Sequence, residues 1–406
     1  MPNIRPIDWV PVLGFGLLPV IAIFANKGTV IVLALCGLTA LFAIVKKRAV
    51  RDLLPSGALL IFGLFAIWMV ITSFISHKGE ENLGKIAQVL GLVSLYFLVS
   101  WQCRVSPKEL KQRIIQAMQI GTLTALGLLV ASYLAIDVLQ QDIIPIDRGS
   151  KISILYPGLM VLAFLFPSLL SALDKQKRIG LLWVAGGIAL ALSLLIGSIT
   201  ATILIGFSLL SFVLFRRQPG NLPKLLALVL VVFTLTAPIS MPLVLDRIAV
   251  VFVEDQTKTQ QAADQGSLVG SLVHRYHIWR FAADAAAKEP FFGWGFDASR
   301  SLPGGHKAFA KGAEMLPLHP HNAILQVWLE LGVPGLIILA MILWRAYMPQ
   351  GWETFSRREI LVRAETITVI FIAANATFGM WQSWWIASIA LALSSLWLWH
   401  DDQVPA

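Results

Sequence analysis

"YPGLMVLAFLFPSLLSALDKQKRIGLLWVAGGIALALSLLIGS" runs from Tyr156 to Ser198. Two apolar runs flank a short basic cluster, Lys175, Lys177 and Arg178. The apolar residues are continuous rather than alternating, so neither run reads as a strand of a membrane barrel. A helix rising about 1.5 Å per residue needs roughly 20 mostly apolar residues to cross a bilayer. Span, basic turn, span is the pattern that sets the fold, and it recurs along the chain.

Of the 406 residues, 57% are hydrophobic and 14% are charged; soluble domains carry about 25% charged residues. Lipid offers no partner for backbone N–H and C=O groups, so continuous apolar runs imply helices. Candidate spans, about twelve in number, fall at 9–25, 28–46, 56–76, 84–101, 114–137, 152–173, 179–197, 199–215, 223–245, 323–347, 361–378 and 382–399. The splits at Asn26-Lys27-Gly28 and near Ser198 are the shortest. The expected class is therefore all-α, a polytopic helical membrane protein. Residues 1–245 are expected to form a bundle of about nine transmembrane helices and 323–406 one of about three. Between them, 246–322 form one large external loop with short helices. No small-residue cleavage site follows the first apolar run, so no removed signal peptide is expected.

Lys and Arg favour the cytoplasmic ends of spans. With the N-terminus inside, alternate ends carry Lys46, Lys47, Arg48 and Arg51, then Arg104, Lys108, Lys111 and Arg113. The series continues with Lys175, Lys177 and Arg178, with Arg216, Arg217 and Lys224, and with Arg345, Arg357, Arg358 and Arg363. Opposite loops hold few cations. Both termini are thus expected inside and 246–322 outside. The net charge of +9 follows from this topology and implies no nucleic-acid partner. Cys36 and Cys103 fall in different places, and no CxxC metal or redox motif exists.

The external segment opens with the polar stretch Glu254–Ser267, read as a loop. "SLVHRYHIWRFAADAAAKEP" follows, Ser271 to Pro290. Ser271 can cap a helix, the alanines favour one and Pro290 ends it. Arg275 and Trp279 are i,i+4 neighbours there, and His274 and His277 are i,i+3 neighbours. Such a helix can lie on the bilayer surface with Trp279 and Phe281 at the interface. In "FFGWGFDASRSLPGG", Gly293 and Gly295 permit a tight turn, and Arg300 could meet an anion.

"LHPHNAILQVWLELGVPG", Leu318 to Gly335, leads from that loop into a span. Asn322 is a good N-cap. His319 and His321 suit a general base, a metal pair or simple packing. Glu330 lies about 12 Å along the helix from Asn322. An acid at that depth must face protein or a polar cavity; Arg148, Lys151 or a backbone amide could partner it. Gly332, Pro334 and Gly335 loosen or kink the helix. Arg148 and Lys151, before the span at 152–173, snorkel or bind phosphate. Ser198, Thr200 and Thr202 would settle interhelical hydrogen bonds.

His321-Asn322, nine residues, Gly332, two residues, Gly335 resembles the signature of the O-antigen ligase and polymerase superfamily. Arg275 and Trp279 followed by "EPFFGWG" are similar to that family's external-loop motif, and "GWGFDASRSLPGG" with "LPLHPHN" to its alphaproteobacterial versions. The resemblance implies a bacterial inner-membrane glycosyltransferase whose large loop is periplasmic. Such an enzyme moves an undecaprenyl-diphosphate-linked glycan to a hydroxyl acceptor. Lipid A-core is the first expected acceptor, giving O-antigen ligation; a polymerase using another lipid-linked repeat is the alternative. A transporter of lipid-linked sugars would share the spans, but the halves show no repeat symmetry of the kind many transporters carry. No cofactor and no metal is expected. The resemblance makes His321 the catalytic histidine and Arg275 the diphosphate-binding arginine. His319, Asn322, Trp279 and Glu330 stand as further substrate-site candidates. Relatives often place a cation where this chain has Ile199; Arg148, Lys151, Arg280 and Arg300 are the available substitutes.

Overall fold

A computed structural model describes residues 5–47, 56–75, 79–140, 154–252, 268–310 and 313–400. Arg148, Lys151 and the stretch Glu254–Ser267 lie outside the described residues. The fold is a helical bundle. Its helices are α1 (Trp9–Phe24), α2 (Gly28–Lys47), α3 (Ser56–Ile75), α4 (Gly79–Val105), α5 (Lys108–Gln140), α6 (Tyr156–Lys175) and α7 (Ile179–Leu195). They continue with α8 (Ile199–Phe215), α9 (Leu222–Phe252), α10 (Leu268–Lys288), α11 (Ala323–Tyr347), α12 (Arg357–Ala374) and α13 (Ser383–Ser395). One small departure from an all-α chain is an antiparallel ribbon of β1 (Ala308–Ala310) and β2 (Ala313–Glu314) in the loop before α11.

Among the described residues, 8 helices are long and apolar enough to cross a membrane. The other four expected spans coincide with α7, α8, α12 and α13. The helices Ile179–Leu195, Ile199–Phe215 and Ser383–Trp399 are apolar but shorter, and α12 carries Arg357, Arg358, Glu359, Arg363 and Glu365. Outward faces present large apolar side chains such as Leu13, Ile31, Leu60, Phe74, Leu210 and Ile239. Water does not tolerate so extended an apolar surface; lipid does. The chain is a polytopic helical membrane protein.

Both short splits are real breaks. The chain between α1 and α2 turns over residues 25–27. Between α7 and α8, Gly197 adopts φ 75° and the Ser198 hydroxyl accepts from the Ala201 amide. Thr202 bonds to Ser193 across that corner at 3.0 Å, the interhelical role expected of it, while Ser198 caps its own helix. Helix α9 runs past residue 245 to Phe252, so the bundle reaches further into the connecting segment than the span pattern implied.

Helix α6 is the pillar. It is apolar all round, and every residue from Gly158 to Leu173 is buried, as expected of a helix without a polar face. It contacts α1, α5, α7, α8, α12 and α13. A second core gathers around α11. There Ile324, Leu325, Trp328, Leu329 and Leu331 meet Ile278, Ala282 and Ala286 of α10, Met69 of α3, and Phe296 and Leu316 of the connecting loop.

Helix α11 is broken inside the second core. Gly332 has φ 65° and ψ −164°, a region essentially reserved for glycine. The break strands backbone groups that the helix would otherwise pair. The loop before α11 collects them. Trp294 N–H donates to the Leu329 carbonyl at 2.8 Å, Gly295 N–H to Glu330 at 3.1 Å, and Val333 N–H to Pro290 at 2.9 Å. The Trp68 indole of α3 donates to the Leu331 carbonyl at 2.7 Å. A Cβ on Gly332 would lie 1.9 Å from the Phe291 carbonyl oxygen. Gly332→Ala therefore combines a forbidden backbone with a backbone clash. It should cost about 3 kcal/mol or more, seen as a lowered melting temperature and lost monodisperse yield in detergent. Gly63→Ala, where an added Cβ meets nothing within 4 Å, should leave both unchanged.

Candidate active site

The break fixes one end of a site and the helix start fixes the other. Asn322 caps α11 from extended backbone, its side-chain oxygen accepting from Leu325 N–H at 2.9 Å. Asn375, in the turn between α12 and α13, accepts from Ile324 N–H at 3.1 Å. These bonds satisfy amides that a helix start leaves without partners.

Just before the cap stand the two histidines. His321 has φ 52°, an uncommon backbone for a residue with a side chain. Its Nδ1 contacts the Thr377 carbonyl oxygen. A carbonyl can only accept, so Nδ1 carries the proton and Nε2 keeps its lone pair. The His321 backbone N–H donates to His319 Nδ1 at 3.2 Å, and the ring centroids lie 4.2 Å apart. His319 is buried against Gly379, where an added Cβ would lie 2.7 Å from its ring.

The histidines are held from the α10 side as well. The Trp279 indole donates to the Pro320 carbonyl at 2.8 Å, so Trp279 braces the His-Pro-His turn. Helix α10 begins at Leu268, which places Ser271 inside it and not at its cap. Its apolar face packs on α9 and α11, which fastens it to the bundle.

Burial, then nearby charge, disfavours the protonated form of both histidines. Burial lowers the His321 pKa, the Thr377 carbonyl opposes that, and the charges of Arg275 and His274 lower it further. His319 is pushed down to about 3 by burial, then by His321 and Arg300. Arg275 is itself lowered by burial, with the Tyr156 phenol at the start of α6 opposing. His277 is lowered by burial and by His274. The arrangement is an imidazole whose Nε2 keeps its lone pair, near a partly buried guanidinium. Among the described residues, no three His, Cys, Asp or Glu side chains converge to hold a metal ion.

Glu330 sits at the other end of this α11 segment and is fully buried. Its carboxyl accepts from Asp297 N–H at 3.0 Å and Gln326 Nε2 at 3.1 Å, and also from the Ser299 hydroxyl and the Trp381 indole. Gln326 in turn accepts from Met380 N–H at 3.0 Å. One side chain thus ties the 297–299 turn and the α12–α13 turn to α11.

Of the residues singled out from the sequence, Arg275, Trp279, His319, His321 and Asn322 converge at the mouth of α11. Arg300, on the turn that follows Asp297, bears electrostatically on His319 and contacts Asp297 at 3.5 Å. Arg280 does not join them: it is paired with Asp246 of α9 and with Asp284 one turn on. Arg148 and Lys151 are outside the described residues. Sequence reasoning missed Tyr156, Ser299, Asn375, Thr377, Gly379 and Trp381. Polar residues and Gly379 breaking two apolar runs were the available signal for the α12–α13 turn.

Comparison with known proteins bears on this geometry. Residues 181–340 match the family model described as O-antigen ligase. The resemblance is to the O-antigen ligase superfamily. The matched span takes in α10, the His-Pro-His turn and the broken half of α11. A Rickettsia conorii protein named "Putative polysaccharide ligase" is 26% identical over 84% of this chain and 80% of its own length. Its counterpart in Rickettsia bellii is 27% identical over 80% of this chain and 76% of its own. A Rickettsia prowazekii protein of the same description is 33% identical over 32% of this chain and 31% of its own.

The four donors on Glu330 make a sharp test. Glu330→Gln keeps the shape but turns an NH2 toward groups that also donate. It should destabilise by about 2–3 kcal/mol and loosen both turns. The check is thermal unfolding in detergent together with proteolysis after residue 295; an unchanged melting point would remove Glu330 as the anchor.

Proposed function

We propose that the chain is an O-antigen ligase, transferring an undecaprenyl-diphosphate-linked glycan to a hydroxyl of lipid A-core at the periplasmic face of the inner membrane. The observation that carries the reading is His321: its Nδ1 is committed to the Thr377 carbonyl and its Nε2 is left to accept a proton beside Arg275. The family match and the names of the relatives favour ligation of polysaccharide over polymerisation.

In the proposed reaction an acceptor oxygen attacks the anomeric carbon as its proton passes to His321 Nε2. The bond from that carbon to the diphosphate oxygen breaks, and the electron pair leaves with the diphosphate. Arg275 neutralises the charge that develops there, an interaction strengthened where water is excluded. Direct displacement inverts the anomeric centre. Neutrality of the buried imidazole matters, because a protonated His321 could not act as the base. His319 and Trp279 hold the histidine turn, Asn322 caps its helix, and no step is routed through a metal.

His321→Ala and Arg275→Ala, at wild-type protein levels in membranes, should each lower transfer by about 10²-fold or more. Full activity in either variant removes that residue from the reaction. A second outcome follows from the lowered His321 pKa. The base form persists as pH falls, so the acid limb of kcat/KM should lie below the ordinary histidine value of about 6.5. An acid limb at or above that value contradicts the assignment. Treatment with EDTA should leave the rate unchanged.

A further inference from the structure

A cleft of about 580 Å³ opens between the first turns of α4 and the 297–301 turn. Asn82, Lys85 and Gln88 line one wall, and Asp297, Arg300 and Ser301 the other. We propose that this cleft seats an anionic saccharide, the acceptor end of the transfer reaction, with Lys85 and Arg300 meeting its negative charge. The proposal rests on the glycosyltransferase reading and names a second substrate subsite for it.

The lining is the first argument. Two cations, one carboxylate, two amides and a hydroxyl surround the space. Saccharides are recognised through many hydroxyls, each able to donate and accept, which suits amides and a carboxylate. The cations outnumber the anion, so a sugar bearing a carboxylate or phosphate is favoured over a neutral one. The volume lies within the range of small-ligand sites. Gln88 is exposed on a helix that is otherwise apolar enough to cross a membrane. A polar side chain there is costly without a polar neighbour, and the cleft is that neighbour.

The walls are also fixed. Asn82 donates to the Phe296 carbonyl at 2.9 Å, fastening α4 to the loop. Glu330 holds the Asp297 amide and the Ser299 hydroxyl. Asp297 lies 3.5 Å from Arg300 and aims its guanidinium. The His306 ring lies 3.3 Å from the Arg300 carbonyl. A site whose side chains are held from behind needs little reorganisation on binding.

Position assigns the cleft to the acceptor. Arg275 acts on His321 from α10, beside Tyr156 of α6. Arg300 acts on His319 from the 297–301 turn. The two cations therefore approach the histidine pair from different elements. If the diphosphate lies at Arg275, the group that surrenders its proton to His321 enters from the other side. Arg300 then serves the acceptor and is not a substitute for the cation absent at Ile199.

The test uses the full chain in phosphatidylcholine nanodiscs, with trigalacturonate as acidic probe and maltotriose as neutral probe, and binding followed by microscale thermophoresis. Trigalacturonate should bind at least tenfold tighter than maltotriose. Lys85→Gln and Arg300→Gln should each weaken it by tenfold or more, while His321→Ala leaves it unchanged. Gln88→Trp, which fills the cleft from an exposed helix position, should abolish it without changing the melting temperature. Equal binding of the two probes, or acidic binding indifferent to Lys85→Gln and Gln88→Trp, overturns the proposal. Loss of binding in phosphatidylglycerol nanodiscs would make the occupant a lipid headgroup and overturn it too. Binding needs no turnover. A chain that binds trigalacturonate as described but transfers no glycan would therefore sink the transferase reading separately.

Discussion

The break in α11 is the constraint on which the rest of the site depends. A continuous helix through residue 332 would satisfy its own backbone and leave the preceding loop nothing to hold. Because Gly332 turns the chain out of the helix, carbonyls of Leu329, Glu330 and Leu331 and the amide of Val333 are offered sideways. The loop from Pro290 to Gly295 threads along them as though adding to a sheet edge. The Glu330 side chain, about two turns of helix from the cap, then gathers the next part of the loop and the α12–α13 turn. Polar groups at this depth are tolerated because each finds a protein partner in place of water.

This arrangement gives the spacing from Asn322 to Gly332 a physical meaning. Asn322 starts the helix and Gly332 interrupts it, and the segment between them is a rigid rod of about 15 Å at about 1.5 Å per residue. One end presents His321; the other anchors the loop that carries Arg300. The rod sets the separation of the two sides of the site. Changing its length by one residue would rotate His321 by about 100° relative to the Glu330 anchors, so register and not only composition is required.

Much of the fold was legible because lipid solvent imposes simple rules. Continuous apolar runs become helices, and Gly197-Ser198 and Asn26-Lys27-Gly28 break them. Asn322 was readable as a cap and Gly332 as a kink, since both act through local backbone chemistry. The partners of Glu330 were not readable. Sequence suggested cations or a backbone amide, whereas most of its bonds come from Ser299, Gln326 and Trp381, two of them far away in the chain. Thr377 and Gly379 could be read as marking a turn but not as partners of the histidines, because that depends on where the α12–α13 turn meets them. Trp279 could be read in sequence only as an interfacial residue or a neighbour of Arg275, and only packing shows that its indole is committed to Pro320. Arg280 stood in sequence as one possible substitute for the cation absent at Ile199. It faces Asp246 and Asp284 instead, because five residues along α10 turn a side chain to the opposite flank.

On the proposed reading, the histidine pair illustrates how burial can prepare a base without a carboxylate partner. An acid hydrogen-bonded to Nδ1 would stabilise the imidazolium and raise the pKa; a backbone carbonyl fixes the tautomer while adding only a dipole. Nearby Arg275 and His274 then disfavour the charged form. The cost is a weaker base, since a lowered pKa means less affinity for the proton it must take. That cost is offset if the diphosphate, on arrival, supplies negative charge beside Arg275 and removes the main repulsion on the imidazolium. In the free site burial, with Arg275 adding to it, disfavours the charged form of His321; on the proposed reading a bound diphosphate would neutralise that arginine and make His321 more basic. Donor binding would thus raise the proton affinity of the base at the moment an acceptor hydroxyl is presented, which couples the two substrates through electrostatics alone.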